Sequence, residues 1–280
     1  MASHPGIVLR LLSWNLFHGR DCPPNPALST WRSRLLRSDE RDATHVQVNR
    51  PLRTEFAARL AGWDWDVALL QEAPPRWLPE LARASHAGGV RDLTSRNSFP
   101  TLRARLADWS PDLMRSAEGG SNMLLARRPA RIVATAAATL ATTPERRRML
   151  MARLELSGGR RIVVCCLHLS VPSTGQGADE AMRAAEIASA WAAGDPLVVG
   201  GDFNLRPVHH GRAFDELRER FGLERPTGPR AIDHLLAAEA LDTVAAPVAL
   251  AAVEREVAGP GGLAIRLSDH APVVGAFGLR

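Results

Sequence analysis

Six short polar motifs punctuate this chain, and their residue types are those that hold a hard divalent cation and move protons. They are Ser13-Trp14-Asn15, Gln71-Glu72, His168-Leu169-Ser170, Gly201-Asp202-Phe203-Asn204, Ile232-Asp233-His234 and Ser268-Asp269-His270. Carboxylate and amide oxygens suit Mg2+, with Mn2+ or Ca2+ as substitutes. Carboxylates and imidazoles also serve as general acids and bases. Each motif follows an apolar run: LRLL, VALL, IVVCCL, PLVV, the short AI, and AIRL. Runs of this length bounded by turn residues read as buried strands. Polar groups at the ends of several buried strands converge on one crevice in open α/β sheets. The set therefore predicts one active site assembled from the whole chain.

Hydrolysis of a phosphoester at neutral pH needs a cation on the phosphate oxygens, a base for the attacking water and stabilisation of the leaving oxygen. Glu72 emerges as Val67-Ala68-Leu69-Leu70-Gln71 ends, so it is the best cation ligand, and Asn15 offers a neutral amide oxygen beside it. Asp202 and Asn204 stand two apart in a short segment after a strand, where both can face one crevice. Taken alone, that segment would read as a simple turn. A lone strand-end histidine is more often structural; six motifs in order change that balance for His168 and His270.

In that order the motifs resemble the endonuclease/exonuclease/phosphatase family, which includes DNase I-like nucleases, sphingomyelinases and inositol-phosphate phosphatases. The resemblance runs from about Ile7 to Phe277. It implies an α/β fold of four layers, two mixed β-sheets packed face to face with helices outside. It implies that Asn15, Glu72 and Asp269 surround the principal metal. It also implies that Asp202 orients or deprotonates the attacking water and that Asn204 contacts the phosphate. His270 becomes the catalytic histidine, paired with Asp233, which would fix its tautomer and favour its charged form. Whether His270 is a base or a phosphate-binding cation stays open. His168 is the second family histidine, donating to the phosphate or protonating the leaving oxygen. Asn122, in Gly119-Gly120-Ser121-Asn122, matches a small polar motif that opens a core strand in relatives.

Other histidines carry no such match. His234 stands where many relatives have an aromatic residue and reads as packing. His18, His209 and His210 read as loop residues, since no second cluster gives them metal-ligand spacing. Two departures bear on substrate. Abasic-site nucleases of this family use a pocket tyrosine and lack a histidine at the position of His168; this chain has no Tyr and has His168. The first motif also continues Leu16-Phe17-His18-Gly19-Arg20 rather than the Asn-Gly or Asp-Gly of many repair nucleases. The implied activity is Mg2+-dependent hydrolysis of a phosphodiester, in nucleic acid or in a small or lipid phosphoester, by metal-assisted water attack. The alternatives are a phosphomonoesterase and a non-catalytic binding protein. The binding protein should lack one of Glu72, His168, Asp202, Asp269 or His270, and none is missing.

The elements that must position these residues alternate strands with amphipathic helices. Strands are expected at 7–14, 66–71, 122–126, 131–140, 149–156, 161–168, 196–201, 231–237, 243–251 and 270–277, and helices at 52–62, 76–86, 101–108, 179–193 and 211–221. The 280 residues could make one large domain or two small ones; motifs spanning nearly all of them predict one. Residues 17–50 break the pattern as an insertion rich in proline and arginine, partly helical around 28–37. It leaves from Asn15, so Arg32, Arg34 and Arg37 belong either to a solvated loop or to a lid contacting substrate.

Composition discriminates weakly. The net charge is +5, and all 35 basic residues are arginine, which with abundant Ala, Gly and Pro looks like the bias of a GC-rich genome. The charge is compatible with nucleic acid or anionic lipid. Three cysteines argue against a disulfide scaffold, and Cys165 and Cys166 are adjacent in a predicted strand. The first residues lack the features of a signal peptide, and no stretch approaches a membrane span, so a cytoplasmic location is expected. No protein partner can be inferred.

Overall fold

Apolar runs become strands at nearly every place where the sequence marks them. The structure is a computed structural model that describes residues 7–94, 98–113, 119–171, 173 and 175–279. Residues 1–6, which carry part of the reading against a leader, lie outside the described residues.

The first half contains β1 (Ile7–Asn15), α1 (Trp31–Leu36), β2 (Glu40–Arg41), β3 (Val46–Gln47), α2 (Arg53–Gly62) and β4 (Val67–Ala73). It continues with α3 (Leu78–Ala84), β5 (Ala87–Leu93), α4 (Pro100–Trp109), β6 (Ser121–Arg127) and β7 (Arg131–Ala141). The second half contains β8 (Arg147–Glu155), β9 (Arg161–His168), α5 (Gly177–Ala192), β10 (Leu197–Asp202), α6 (Pro207–Phe221) and β11 (Leu223–Glu224). It closes with β12 (Asp233–Ala238), β13 (Leu241–Ala249), β14 (Glu256–Ala258), β15 (Ala264–Arg266) and β16 (Val273–Leu279).

Two six-stranded mixed sheets form the centre. One has the order β13-β16-β1-β4-β6-β5, the other β11-β12-β10-β9-β8-β7. Their facing sides share a core that includes Leu9, Leu11, Leu69, Leu124, Leu150, Val164, Val198, Leu235 and Phe277. The outer side of the second sheet packs on α5 and α6. There α5 presents Ala181, Ala184, Ala185, Ala188 and Ala192, a face of small side chains that lets helix and sheet approach closely. The outer side of the first sheet is covered by Phe56, Ala57 and Leu60 of α2, by Leu81 of α3 and by Trp77. Four layers result, as the resemblance implied. Every residue of β9 from Ile162 to Leu167 is buried, because a central strand in this stack has apolar material on both faces. Among the described residues no helix is long and apolar enough to cross a membrane.

Register decides what the strand ends can do. Parallel pairing of β9 with β10 sets Asp202 beside His168, and antiparallel pairing of β10 with β12 sets Asp202 opposite Asp233. In the other sheet, parallel pairing of β1 with β4 sets Asn15 beside Gln71, with Glu72 one residue beyond.

Three local expectations need correction. The helix expected at 76–86 is a short 3-10 turn at Pro75–Trp77 followed by α3, and the chain then enters β5, which was not anticipated. Ala87-Gly88-Gly89 has weak strand propensity; the ladder to β6 creates the strand. The insertion at 17–50 is folded. Val48 N donates to Asp21 Oδ2 at 2.8 Å, Arg20 Nε to Asp112 Oδ1 at 2.6 Å, and Ala264 N to the Thr44 carbonyl at 2.9 Å. Its expected helix is α1, started by Thr30, whose side chain accepts from Ser33 N.

Candidate active site

The sheets bring their polar strand ends together across the interface. Asn15 Nδ2, from the first sheet, donates to Asp202 Oδ2, from the second, at 3.2 Å. His168 lies between the sheets' carboxylates, with Nδ1 3.7 Å from Glu72 Oε1 and Nε2 3.4 Å from Asp202 Oδ2. His270 closes the group. Its Nδ1 donates to Asp233 Oδ2 at 2.8 Å, and its Nε2 lies 3.7 Å from Asp202 Oδ2 and 3.9 Å from Asp269 Oδ1. Ser268 Oγ fastens the last motif to the first by donating to the Asn15 carbonyl at 2.6 Å while accepting from His270 N at 3.0 Å. Trp14 Nε1 adds a bond to the His270 carbonyl at 3.1 Å.

Strain gathers at the same positions. Glu72, Asn204 and Ser268 have φ of 48°, 54° and 61°, and Phe17 and His18 have 49° and 54°. Left-handed backbone disfavours residues with a Cβ and persists where surrounding structure enforces it, typically at functional sites.

Electrostatics divide the group by role. Burial raises the Asp202 carboxyl well above the usual aspartate range, and the neighbouring Asp233 charge adds to this. Burial alone would lower His270, but the hydrogen bond and charge of Asp233, with Asp202 and Asp269, raise it to about 10. It is therefore a cation at neutral pH. His168 is pushed down to about 3 by burial and is neutral. Burial works to raise Glu72, but His18, His168, Asn15 and His270 together hold it below the usual glutamate range. Asp269 is raised by burial, and the Glu72 charge contributes.

Seven of the expected site residues therefore meet in one cluster: Asn15, Glu72, His168, Asp202, Asp233, Asp269 and His270. Asn204 lies at its edge, its backbone amide donating to Asp202 Oδ1 at 3.0 Å and its side chain to the Leu169 carbonyl at 3.0 Å. Asn122 is buried and donates across the sheets to the Arg148 carbonyl at 2.7 Å. The three insertion arginines make no hydrogen bond or ion pair with the crevice residues. Arg34 bonds Ser29, Arg37 stacks 5.7 Å from the Trp109 ring, and Arg32 is exposed.

Two readings of histidines change. His209 and His210 lie in the first turn of α6, not in a loop, with His210 Nδ1 accepting from Arg206 N at 3.1 Å. His18 is not a free loop residue: its Nε2 lies 3.2 Å from Glu72 Oε2. A single histidine in an aperiodic segment gives no sequence signal for this. His234 packs as expected, buried edge-on against Phe203 and Phe214, with its ring nitrogens bonded to Leu205 O and Thr227 N.

The donor chemistry fits a divalent cation. Glu72 is half-buried and Asp269 stands at the solvent-exposed side of the group, where the Glu72 charge opposes ionisation of Asp269. Asp202, Asp233 and His270 bring ligand atoms within 4.8 Å of one another, and Asp233 Oδ1 is buried without a hydrogen-bond partner. His270 already balances the Asp202–Asp233 side, so the place left for an added cation is beside Glu72 and Asp269.

Comparison with curated protein sequences gives no match. Solved structures give many. A family protein from Bacteroides thetaiotaomicron is 15% identical, covers 99% of this chain and 100% of its own, and superposes with a TM-score of 0.67. A mannosyl-6-phosphatase from the same organism is 16% identical, with 96% and 99% covered and a TM-score of 0.65. Truncated TDP2 from Caenorhabditis elegans is 14% identical, with 97% of each chain covered and a TM-score of 0.59. At these identities the likeness speaks for the fold. The sequence itself matches a family model over residues 12–270, and by that match the chain belongs to the Endonuclease/Exonuclease/phosphatase family.

Proposed function

We propose that this protein is a divalent-cation-dependent phosphoesterase that hydrolyses a phosphodiester in nucleic acid or in a small or lipid phosphoester. The carrying observation is the cross-sheet group in which Asn15 Nδ2 meets Asp202 and His168 lies between Glu72 and Asp202. Glu72, Asn15 and Asp269 would hold the cation, with Mg2+ or Mn2+ the ions such donors suit. When bound, the cation neutralises charge on the phosphate oxygens and polarises the phosphorus centre.

The rest falls to side chains. Asp202, whose raised pKa brings it closer to a base poised for neutral pH, accepts the proton of the attacking water. His270, cationic at neutral pH and oriented by Asp233, binds a phosphate oxygen and stabilises the charge that builds there. His168, neutral and buried, donates a hydrogen bond to the phosphate or leaving oxygen. Because both sheets supply these groups, we read the chain as one domain. A complete acid–base set favours catalysis over a binding role.

The test is a substrate panel of plasmid DNA, RNA, sphingomyelin, inositol phosphates and a bis-nitrophenyl phosphodiester. Each is run with Mg2+, with Mn2+ and in excess EDTA. Hydrolysis that needs the cation and is abolished by Asp202→Asn is expected. Full hydrolysis in EDTA would overturn the reading.

A further inference from the structure

The turn after β1 places an imidazole against the best cation ligand in the molecule, and several contacts keep it there. Leu16 N bonds the Gln71 carbonyl at 2.8 Å, and Phe17 N bonds Asn15 Oδ1 at 2.9 Å. The chain then turns through Phe17, His18 and Gly19, all left-handed, closed by Gly19 N to Leu16 O at 2.7 Å and Arg20 N to Phe17 O at 3.1 Å. Gly19 (φ 77°) sits so close under Trp77 that a Cβ there would come within 2.1 Å of the indole. Arg20 covers the Phe17 ring at 4.2 Å while pairing with Asp112.

The product of this turn is the 3.2 Å approach of His18 Nε2 to Glu72 Oε2. His168 Nδ1 stands 3.7 Å from the other oxygen, Oε1. Room for the ring comes from Gly120, where a Cβ would lie 3.3 Å from His18 Cε1. A solvated loop would need neither the strained turn nor the glycine beside it.

We infer that His18 is a nitrogen donor to the cation held by Glu72, so that this centre selects Mn2+ or a later first-row ion over Mg2+. The inference rests on the cation-dependent reading above and deepens it. The chemistry is that of ligand preference. Mg2+ takes oxygen ligands and keeps its waters, whereas imidazole nitrogen suits first-row ions increasingly from Mn2+ through Fe2+ to the later members, with Mn2+ the weakest of them. A centre built from Glu72, Asn15 and Asp269 alone has only oxygen donors, which suit Mg2+ and Mn2+ alike. One imidazole tips it.

The experiment measures Mn2+ and Mg2+ affinity by titration on the full chain, wild type and His18→Asn, with circular dichroism as a fold control. Pulsed EPR of the Mn2+ complex reads whether a nitrogen nucleus is directly bound. Wild type should bind Mn2+ more tightly than Mg2+ and show the 14N coupling. His18→Asn should lose that coupling and at least about 10-fold in Mn2+ affinity, no less than the loss of an outer hydrogen-bond partner costs, with Mg2+ affinity little changed. Coupling that survives in His18→Asn and vanishes in His168→Asn would overturn the assignment. So would affinities for both ions falling together, which is the mark of a residue that only orients Glu72. Should His18→Asn fail to fold, wild type alone decides: no 14N coupling, or a preference for Mg2+, overturns the inference. Glu72→Gln separates this result from the parent reading. Mn2+ binding that ignores Glu72→Gln would remove the proposed cation site itself, whatever His18 does.

Discussion

His270 Nδ1 donates to Asp233 Oδ2 at 2.8 Å, although the two residues lie 37 positions apart, Asp233 opening β12 and His270 in the segment before β16 of the other sheet. The bond leaves Nε2 of the same ring facing Asp202 and Asp269. Asp233 therefore sets both which ring nitrogen faces the crevice and the charge it carries.

The pair should behave as one unit. Residues that act together are strongly non-additive in their effect on rate. Asp233→Asn and His270→Ala should each lower kcat by about 10²-fold or more. The double variant should be little worse than His270→Ala alone. A double-mutant cycle on the best substrate measures this, and additive losses in log rate would show two independent roles.

Glu72 and Asp202 should separate by their response to cation. Under the proposed roles Glu72→Ala removes a cation ligand, so its defect should shrink as Mg2+ or Mn2+ is raised. Asp202→Ala removes the group proposed as proton acceptor, typically worth about 10²-fold or more, and added cation should restore little. Equal rescue of both variants would contradict the division of labour.

Gly19→Ala tests the turn under Trp77. A Cβ at this left-handed position must displace a buried indole, since the clash is with ring atoms at 2.1 to 2.8 Å. The expected cost is about 3 kcal/mol, from backbone strain and lost packing. Chemical denaturation against wild type reads it directly. A change near zero would mean that the ring is free to move.

Asp21 should make stability fall as pH rises from about 4 to about 8. Burial, with the nearby Asp112 charge, raises its carboxyl from 3.8 to about 8. The folded chain thus keeps a proton that the unfolded chain has lost, so this contribution is fully present below pH 3.8 and disappears as pH rises toward about 8. Asp21→Asn cannot ionise and can still accept from Val48 N. Its Tm should exceed wild type by a few degrees at pH 9 (on the order of 2–4 °C per kcal/mol gained), and the difference should close near pH 4. Parallel curves for the two proteins would sink this assignment.

The sequence reveals the strand ends and conceals the turns. Val67 to Gln71 and Ile162 to Leu167 are unbroken apolar runs, and such runs mark central strands whatever follows them. The polar residue that follows is then placed by register, which is why Glu72, His168 and Asp202 could be named. His18 could not. Its approach to Glu72 depends on the left-handed φ of Phe17 and His18 and on the distant Trp77 and Gly120, none of which shows in local composition. The insertion was opaque for a similar reason. Gln47 and Arg20 both bond Asp112, more than sixty residues away, and no periodicity announces such a bond.

The crevice is shared between two sheets that meet chiefly through apolar side chains. Asn15 and Glu72 belong to one, His168, Asp202 and Asp233 to the other, and His270 reaches across from the segment leading into β16. The lateral register of the sheets is held by interdigitating apolar side chains and by cross-sheet bonds such as Asn122 Nδ2 to the Arg148 carbonyl. A cation and a phosphate lodged among these groups would act as a clasp across that seam. Occupancy would then be felt along the whole sandwich, as resistance to shear and to proteolysis at loops far from the chemistry.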